Sequence, residues 1–449
     1  MLPKKYPVTC HTKNIGSNST FVAIKGFSLD GNKFIKKAIK RGAAKIISDQ
    51  EDLEIIKFCK KQKIQFELVE NARIALAKES SKTLKTKNIK TKIIGITGTK
   101  GKTTTTYIIE HILSYSGFKT ALIGTIKNKI LNKEIKSINT TPESDFLHMF
   151  LHECDKQNIN FVVMEVSSHA LSLNRTYGIK FDAIGFTNLA NEHLDFYKNM
   201  DKYFKAKSKI FNQIKKDSVV VINKDDQWGK RAIEEQKNIN NLITLEEKNF
   251  NIIKKYIPNH MPGKFNLYNF FMSFLICKKL GISEEKILKA IKNFPGVPGR
   301  LQKHVLKNGT IAFIDYAHNP SSMKEVLKTL KPLTKNLIVV FGCGGNRDKT
   351  KRPMMGDIAI EYADKVIITN DNPRFENPRE IINDIIKKIP KNKMNKIEII
   401  EDRERAIKKA VSISDKNSII AILGKGHENY NLIKNKKYFF DDFAQIKKY

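Results

Sequence analysis

The sequence predicts an α/β protein of three domains. Short apolar runs rich in Ile and Val alternate with helical patterns through most of the 449 residues. This alternation is typical of mostly parallel sheets that carry helices on both faces. Two breaks divide the chain, a polar stretch at residues 83–88 and a Pro- and Gly-rich segment at residues 295–299. They predict domains at residues 1–88, 89–297 and 298–449.

Each domain has its own set of predicted elements. The first is a small α/β unit, with strands within residues 19–26 and 43–48 and a helix at 34–42. The second has helices near 103–116 and 266–280 and strands at 93–97, 120–123, 161–165, 183–187 and 219–222. The third repeats the pattern, with strands at 311–315, 337–341, 366–369 and 418–423.

Composition favours a folded cytoplasmic enzyme. A hydrophobic content of 41% and an aromatic content of 9% exclude a disordered chain. No apolar run approaches the roughly 18 residues of a membrane span, and the N-terminus has no signal-peptide pattern. The five cysteines form no CxxC pair and indicate free thiols in a reducing compartment. We expect a cytoplasmic monomer with no membrane partner.

The net charge of +35 raises the alternative of a nucleic-acid-binding NTPase. The excess is almost all Lys, spread evenly and accompanied by abundant Ile and Asn. These residues have A/T-rich codons, so genomic composition explains them. No stacking-aromatic pattern supports a nucleic-acid surface, and we predict no nucleic-acid partner.

A phosphate-binding loop is the clearest local motif. The segment GTKGKT at residues 98–103 follows an apolar strand and precedes a helix. Such a turn points backbone N–H groups at a phosphate, and the helix dipole adds to the attraction. Lys102 would reach the outer phosphates of ATP, and the Thr103 hydroxyl would ligate Mg²⁺. The strict Walker motif needs a glycine where this chain has Ile96, so this is the shorter GxxGK[ST] form.

Further segments follow the loop in a fixed order. They are NTTP (139–142), MEVSSHAL (164–171), FTNL (186–189), HLD (193–195), YFKAK (203–207), GKFNLYN (263–269), GVPGR (296–300), DYAH (315–318), GCGGNRD (342–348), DNPR (371–374) and GKGHE (424–428). With the loop, they resemble the Mur ligases, the ATP-dependent amide-forming enzymes of peptidoglycan precursor synthesis, and most of all the tripeptide-forming members. The resemblance covers essentially the whole chain.

The resemblance implies a role for each domain. The first would hold the UDP end of the substrate, the central P-loop domain would bind ATP, and the last, Rossmann-like, would bring the incoming amino acid. A substrate carboxylate would attack the γ-phosphate of ATP, giving an acyl phosphate and ADP, and the amino group would then displace phosphate. Because a carboxylate must approach a polyanion, catalysis would depend on charge neutralisation and positioning.

The resemblance also assigns catalytic and nucleotide-binding residues. Lys102, His193 and Lys207 match catalytic positions, and Glu165 and His193 match Mg²⁺ ligands beside Thr103. Lys207 matches a lysine that is carboxylated and then ligates Mg²⁺; taken alone, it lies on a Lys-rich helix and would be read as part of a solvated face. The positions that match ATP contacts are Gly98, Thr99, Lys100, Gly101, Lys102, Thr103, Thr104, Asn266, Asn269, Arg300 and Asp315.

The implied acceptor substrate is UDP-N-acetylmuramoyl-L-alanyl-D-glutamate. The matching positions are Thr12, Asn139, Thr140, Thr141, Ser167 and Arg175. In the first domain, His11-Thr12-Lys13 replaces the family's Asp-Ser-Arg. Thr12 keeps a hydroxyl and Lys13 keeps a cation, so the uridine contact is only partly preserved.

The DNPR segment resembles the motif associated with meso-diaminopimelate. An arginine can hold the far carboxylate of diaminopimelate with two charge-assisted bonds, whereas it would repel the ammonium of L-lysine. The matching positions are Arg347, Asp371, Asn372, Pro373, Arg374, Gly424 and Glu428. Three alternatives remain open besides the nucleic-acid NTPase. They are an L-lysine-adding ligase, a folylpolyglutamate synthetase-like enzyme, and a ligase that keeps the fold without full activity.

Overall fold

The chain packs as two compact units in a computed structural model that describes residues 2–27 and 29–449. One unit comprises Met1–Tyr256 with Tyr268–Lys292, and the other comprises Ile257–Leu267 with Asn293–Tyr449. The predicted α/β class with mostly parallel sheets is confirmed. The first predicted domain and most of the second lie within one unit, and the predicted bounds at residues 88 and 297 stay predictions.

The first region is a parallel sheet of four strands in the order β1-β2-β3-β4. Its elements are β1 Tyr6–Thr9, β2 Ile15–Ala23, α1 Ile35–Lys40, β3 Ala43–Ser48, α2 Leu53–Lys61, β4 Gln65–Leu68 and α3 Ala72–Thr83. Asp52 and Asn71 begin α2 and α3 by accepting two backbone N–H groups each, which satisfies donors that a helix start leaves free. Buried Ile15, Phe21 and Ile46 form much of its core.

The central region is built on an eight-stranded sheet in the order β12-β11-β10-β5-β9-β6-β7-β8. Its strands are β5 Lys92–Thr97, β6 Thr120–Ile123, β7 Lys127–Ile130, β8 Lys133–Lys136, β9 Phe161–Glu165, β10 Phe181–Phe186, β11 Ile214–Asn223 and β12 Leu242–Leu245. Its helices are α4 Lys102–Tyr115, α5 Ser144–Lys156, α6 Ser168–Ser172, α7 Leu194–Tyr197, α8 Met200–Ser208, α9 Gln227–Glu235, α10 Asn251–Lys254, α11 Lys264–Lys279 and α12 Glu284–Lys292. The strands are parallel except β7 and β8, which form an antiparallel edge.

The last region has a six-stranded sheet in the order β13-β14-β18-β15-β16-β17, parallel apart from β13. Its strands are β13 Gln302–Val305, β14 Ile311–Asp315, β15 Asn336–Phe341, β16 Lys365–Ile368, β17 Ile397–Ile399 and β18 Ser418–Leu423, followed by the hairpin β19 Tyr430–Ile433 and β20 Lys436–Phe439. Its helices are α13 Pro320–Leu330, α14 Lys351–Tyr362, α15 Pro378–Ile386, α16 Arg403–Ser412 and α17 Asp442–Ile446.

Two buried arginines stabilise the last region. The guanidinium of Arg403 donates two bonds of 2.7 Å to the carboxylate of Asp442, and that pair is almost completely buried. Arg352 is fully buried and donates to Asp384 at 2.8 Å. Its other terminal nitrogen lies 2.9 Å from Glu376. Removing one partner of such a pair would leave an uncompensated buried charge, so these arginines have structural roles.

The sheet order brings the predicted functional segments to two sheet edges. In the central sheet β10, β5 and β9 are neighbours, so the segments after residues 97, 165 and 186 meet at one edge. In the last sheet the neighbours β14, β18, β15 and β16 do the same. Open parallel sheets bind ligands beyond the carboxyl ends of their strands. Among the described residues, no helix is both long enough and apolar enough to cross a bilayer.

Candidate active site

The phosphate loop lies between the end of β5 and the start of α4, as the sequence predicts. Gly98 has a φ of 144° and Gly101 a φ of 85°, in a region of backbone conformation that favours glycine. A Cβ atom on Gly98 would collide with the hydroxyl of Thr187, and one on Gly101 would collide with the side-chain oxygen of Asn269. Both conformation and space therefore require glycine at these positions.

The residues after β10 hold the loop in place. The backbone N–H of Lys100 donates to Asn188 Oδ1 at 3.0 Å, and Asn188 Nδ2 donates back to the Lys100 carbonyl at 3.1 Å. The hydroxyl of Thr187 donates to the same carbonyl at 2.7 Å. These bonds fix the loop backbone before any ligand arrives. Asn188 was not among the predicted site residues, although its position just after a buried strand was an available signal.

The first turn of α4 completes the predicted phosphate site. The Nζ of Lys102 donates to the carbonyls of Gly98 and Thr99, both at 2.9 Å. Thr103 and Thr104 are buried at the helix start. Backbone N–H groups at a helix start and the positive end of the helix dipole attract anions. The loop therefore combines a fixed turn, a helix N-terminus and a lysine, a set suited to a polyphosphate.

Lys207 on α8 is buried against this loop. Its side chain is 1% exposed, and its Nζ donates to the Gly98 carbonyl at 2.7 Å and lies 4.9 Å from the ring centroid of Tyr203. Burial lowers the pKa of Lys207 well below its usual range, and the charge of Lys102 lowers it further. The solvated-face interpretation of Lys207 is therefore wrong. A buried amine with a lowered pKa is more often neutral, and a neutral amine is nucleophilic.

Glu165 lies at the end of β9, fully buried. Its Oε2 accepts from the Thr103 hydroxyl at 2.9 Å, and its Oε1 accepts from the backbone N–H of Thr125 at 2.7 Å. Across residues 2–27 and 29–449, no lysine or arginine forms an ion pair with this carboxylate. A buried carboxylate beside a hydroxyl offers the hard oxygen donors that Mg²⁺ takes. Glu165 and Thr103 therefore fit the predicted magnesium site.

His193 begins α7 in a left-handed conformation, with a φ of 58°, within a cluster of rings. Its ring centroid lies 4.8 Å from that of His169 and 5.9 Å from that of Tyr203. Partial burial lowers the pKa of His193, and burial lowers the pKa of His169 to about 4. Both rings are therefore neutral at pH 7, the state in which histidine can ligate a metal.

The residues predicted to bind the UDP-dipeptide fall into two groups. Thr141 donates to the Glu165 carbonyl at 2.8 Å and accepts from the Ser167 N–H at 3.0 Å, while Arg175 donates to the Thr141 carbonyl at 2.9 Å. Thr140 belongs to the same group, since its hydroxyl lies 3.0 Å from that of Thr125, which also donates to Glu165.

The second group is made of residues without these contacts. Asn139 is exposed in the segment before α5, and its carbonyl accepts from Ser137 at 3.0 Å. Thr12 lies in the first region, where its carbonyl accepts from Arg41 at 2.8 Å. Neither is bonded to the group around Glu165.

The other residues predicted to contact the nucleotide are divided between the two compact units. Asn269 is buried beside the phosphate loop, where its Oδ1 accepts from Thr105 at 3.3 Å. Asn266 belongs to the other unit and donates to the Pro262 carbonyl at 2.8 Å. The carboxylate of Asp315 accepts from the Leu301 N–H at 2.7 Å.

Arg300 lies in the same unit as Asp315. Its guanidinium lies 4.6 Å from the ring centroid of Tyr316, the residue after Asp315. Burial raises the pKa of Asp315, and the charge of Arg300 opposes this rise. The structure therefore brings these two predicted residues close together.

The predicted amino-acid site lies in the loops after β15, β16 and β18. Arg374 has a φ of 54°, and its backbone N–H donates to the Leu432 carbonyl at 3.0 Å. One guanidinium nitrogen donates to the Gly345 carbonyl at 2.8 Å. The half-buried side chain is thus held by the neighbouring loop through one nitrogen. Arg347, on the loop that carries Gly345, is exposed.

Lys425 connects the segments of this site. It is fully buried, and its Nζ donates to the Tyr430 carbonyl at 2.6 Å and to Asn372 Oδ1 at 3.4 Å. It also lies 3.8 Å from Asp371 Oδ1. The sequence motif contained Lys425, but its function was not predicted. The available signal was a lysine within a glycine-rich segment directly after a buried strand.

Glu428 gives the site a second acidic group, near Asp371. Its Oε2 accepts from Asn372 Nδ2 at 2.9 Å. Burial raises the pKa of Glu428, and the nearby Asp371 raises it further. Gly424, in the same loop, has a φ of 111°, which favours glycine, and a Cβ there would lie 2.7 Å from Asp371 Oδ2. A carboxylate and a half-buried arginine in one set of loops suit a ligand that carries both signs of charge.

Comparisons with known proteins identify the family that the chain resembles. Three family models match, described as Mur ligase family, catalytic domain (residues 6–85), Mur ligase middle domain (96–277) and Mur ligase, glutamate ligase domain (299–426). A Clostridium tetani protein named UDP-N-acetylmuramoyl-L-alanyl-D-glutamate–2,6-diaminopimelate ligase is 40% identical over 97% of this chain and 93% of its own length.

Solved structures show the same fold. A structure of a protein with that same ligase name covers 99% of this chain and 94% of its own, with a TM-score of 0.67 and 27% identity. A MurF ligase from Thermotoga maritima in complex with ADP covers 94% of each chain, with a TM-score of 0.62. Its identity of 17% shows a shared fold alone.

Proposed function

This chain belongs to the Mur ligase family, and from that membership we propose that it adds meso-diaminopimelate to UDP-N-acetylmuramoyl-L-alanyl-D-glutamate with ATP as the energy source. The family predicted from the sequence motifs is confirmed, as is the class of ATP-dependent acid–amino-acid ligases. The observation that carries the proposal for the site is the bond between Thr103 and the buried Glu165. It joins the end of a phosphate loop to a carboxylate placed for a metal ion.

The first chemical step transfers a phosphoryl group. The substrate carboxylate attacks the γ-phosphorus of ATP, the bond to the β,γ-bridging oxygen breaks, and ADP leaves with that electron pair. Lys102 and the N–H groups at the start of α4 hold the phosphates and offset their charge. Glu165, Thr103 and His193 would hold Mg²⁺, which supplies further neutralisation of phosphate charge.

The second step forms the amide. The free amino group of the incoming amino acid attacks the acyl phosphate carbon, inorganic phosphate leaves, and the amine loses a proton. The loops around Arg374 and Glu428 would position this amino acid. Arg374 would bind the distal carboxylate of diaminopimelate, and Glu428 its distal ammonium.

We propose a separate role for Lys207. Its lowered pKa favours the neutral amine, which can add to CO₂ and lose a proton to give a carbamate. The change turns a buried amine beside Gly98 into an anion that can ligate Mg²⁺. The short bond from Lys207 to the Gly98 carbonyl places this nitrogen at the phosphate loop.

The test is phosphate release measured with ATP, the UDP-dipeptide, and either meso-diaminopimelate or L-lysine in parallel, with the product identified by mass. We expect release that requires all three substrates and strongly prefers meso-diaminopimelate. Equal use of L-lysine would support the L-lysine-adding alternative. Absence of turnover would support a ligase that keeps the fold without activity. The cytoplasmic location and monomeric state stay predictions.

A further inference from the structure

Three side chains of metal-ligating type converge where the first region meets the central region. They are the thiol of Cys10, the ring of His11 and the carboxylate of Asp145, and one ligand atom from each lies within 4.8 Å of the other two. Cys10 Sγ lies 3.8 Å from Asp145 Oδ2. None of the three is among the positions assigned above to nucleotide or diaminopimelate, and His11 directly precedes Thr12 in the segment that matches the uridine contact.

The fold fixes the carboxylate of this cluster. Asp145 lies in the first turn of α5 and is 1% exposed. Its Oδ2 accepts from the hydroxyl of Thr9 at 2.7 Å and from the backbone N–H of Cys10 at 3.2 Å. Its Oδ1 accepts from the N–H of Phe146 at 2.9 Å. The carboxylate therefore has one orientation, with Oδ2 facing the end of β1.

The same hydroxyl also positions the other two ligands. Thr9 ends β1, and its Oγ1 accepts from the backbone N–H of His11 at 3.0 Å. Cys10 and His11 are consecutive, so their side chains leave the backbone from a segment that is bonded to Asp145 on one side and to Thr9 on the other. Cys10 is half-buried and His11 is exposed, which leaves the cluster open to solvent on the side of the imidazole.

The donor set favours a particular class of metal ion. One thiolate sulfur, one imidazole nitrogen and one carboxylate oxygen are ligands typical of Zn²⁺ and of ions of similar softness. Mg²⁺ prefers oxygen ligands alone, so this donor set does not suit it. With Zn–S of about 2.3 Å and Zn–O of about 2.0–2.2 Å, a tetrahedral ion separates the two donors by roughly 3.5 Å. The observed separation of 3.8 Å is close to this value.

We propose that Cys10, His11 and Asp145 form a Zn²⁺ site, with a solvent molecule as fourth ligand. Thr9 acts as the outer residue that orients the carboxylate, as the partners of metal ligands commonly do. Bound metal would tie the end of β1 to α5 and stabilise the folded chain by mass action. None of the three ligands takes part in the phosphoryl-transfer or amide-forming step proposed above, although His11 belongs to the segment that matches the uridine contact.

Cobalt titration of the metal-free full-length protein tests the proposal. We expect one Co²⁺ to bind with a thiolate-to-cobalt absorption band in the near ultraviolet, and stoichiometric Zn²⁺ to abolish the band. A cobalt ion at Glu165 and His193 would give no such band, since that site has no thiol. Cys10→Ser should remove the band, and His11→Asn should weaken the visible tetrahedral spectrum and the affinity. His152→Gln, on α5 away from the cluster, is the matched control and should change nothing.

A second pair of variants tests the role of Thr9. Thr9→Val removes the orienting hydroxyl and should weaken Zn²⁺ binding by roughly 10–100-fold, whereas Thr9→Ser should keep the wild-type affinity. Thermal unfolding with and without Zn²⁺ checks that each variant folds. The proposal fails if wild-type protein gives no thiolate band, or if Cys10→Ser binds Co²⁺ with an unchanged spectrum.

Discussion

The Nζ of Lys207 lies 2.7 Å from the carbonyl oxygen of Gly98, so a lysine from a basic helix contacts the turn of the phosphate loop. The same carbonyl accepts from Lys102 at 2.9 Å. Two lysines thus share one acceptor at the predicted site of phosphoryl transfer, and the lowered pKa of Lys207 follows from its burial and from this neighbour.

Replacing Lys207 by methionine should raise the stability of the folded protein and lower its activity. The folded pKa of Lys207 lies well below the unfolded value of 10.5, so below pH 10.5 the unfolded chain binds a proton more readily. This difference destabilises the folded state at neutral pH and fades as pH rises through 10.5. Lys207→Met should therefore raise the melting temperature at pH 7, measured without Mg²⁺ or CO₂. Activity should fall by roughly 100- to 1000-fold, as for loss of one electrostatic contact at a reacting group.

The control for this prediction is Lys205→Met, on the same helix but exposed. It should leave both melting temperature and turnover close to wild type. Labelled bicarbonate should give a carbamate signal in the wild-type protein and in the control, and none in Lys207→Met. Wild-type turnover in Lys207→Met would contradict the proposed role of this side chain.

Glu165→Gln should reduce metal binding while preserving the fold. The amide oxygen can still accept from Thr103 or Thr125, but the negative charge is lost. Mutations of residues next to metal ligands typically reduce metal affinity or activity by roughly 10–100-fold. Glu165→Gln should reduce activity by at least this factor, with partial recovery at high Mg²⁺ concentration. Steady-state rates over a Mg²⁺ titration measure both effects. Glu153→Gln, on the partly exposed face of α5, is a control that should have no effect.

Arg374→Ala should weaken selection for diaminopimelate. Hydrogen bonds to charged groups contribute about 1.5–3 kcal/mol, so KM for meso-diaminopimelate should rise roughly 10- to 100-fold. KM for L-lysine should not rise, because lysine lacks the distal carboxylate. The control is Arg379→Ala, whose side chain is 77% exposed. A parallel rise for both amino acids would indicate a general loss of loop structure.

The pH dependence of diaminopimelate binding should report on Glu428. Burial and Asp371 raise its pKa, so its carboxylate is protonated at a higher pH than an exposed glutamate. Only the ionised carboxylate of Glu428 attracts an ammonium group. The affinity of this site for the ligand's ammonium is therefore present above the pKa of Glu428 and is lost as pH falls through it. KM for meso-diaminopimelate should therefore rise on the acidic side of neutrality. Glu428→Gln should bind weakly at all pH values, without that rise, in a KM profile measured at saturating ATP.

Much of the fold was predictable because its strands are continuous apolar runs. The predicted strands 120–123, 161–165, 311–315 and 418–423 agree with the structure residue for residue, since buried parallel strands carry apolar residues on both faces. The hairpins β7–β8 and β19–β20 were missed because each of their strands has only four residues and three of the four strands contain two lysines. Periodicity cannot find such strands, which depend on neighbours for pairing.

The site was less predictable where it depends on contacts distant in sequence. The phosphate loop could be located because its glycines, lysine and threonine are adjacent in the chain. The burial of Lys207 could not be derived from its own helix, since its bond to Gly98 spans 109 residues. The contact of Cys10 with Asp145 spans 135 residues and follows only from the packing of β1 against α5.

The packing of the first region against α5 also determines how the protein melts. Tyr6, Leu84 and Met149 share one buried cluster, and residues from both regions form a single compact unit. Removing residues 1–88 would therefore expose apolar surface on α5 and leave the Asp145 carboxylate without the Thr9 hydroxyl. Calorimetry should show these two regions unfolding in one cooperative transition, and the central sheet should aggregate when it is expressed without its N-terminal partner.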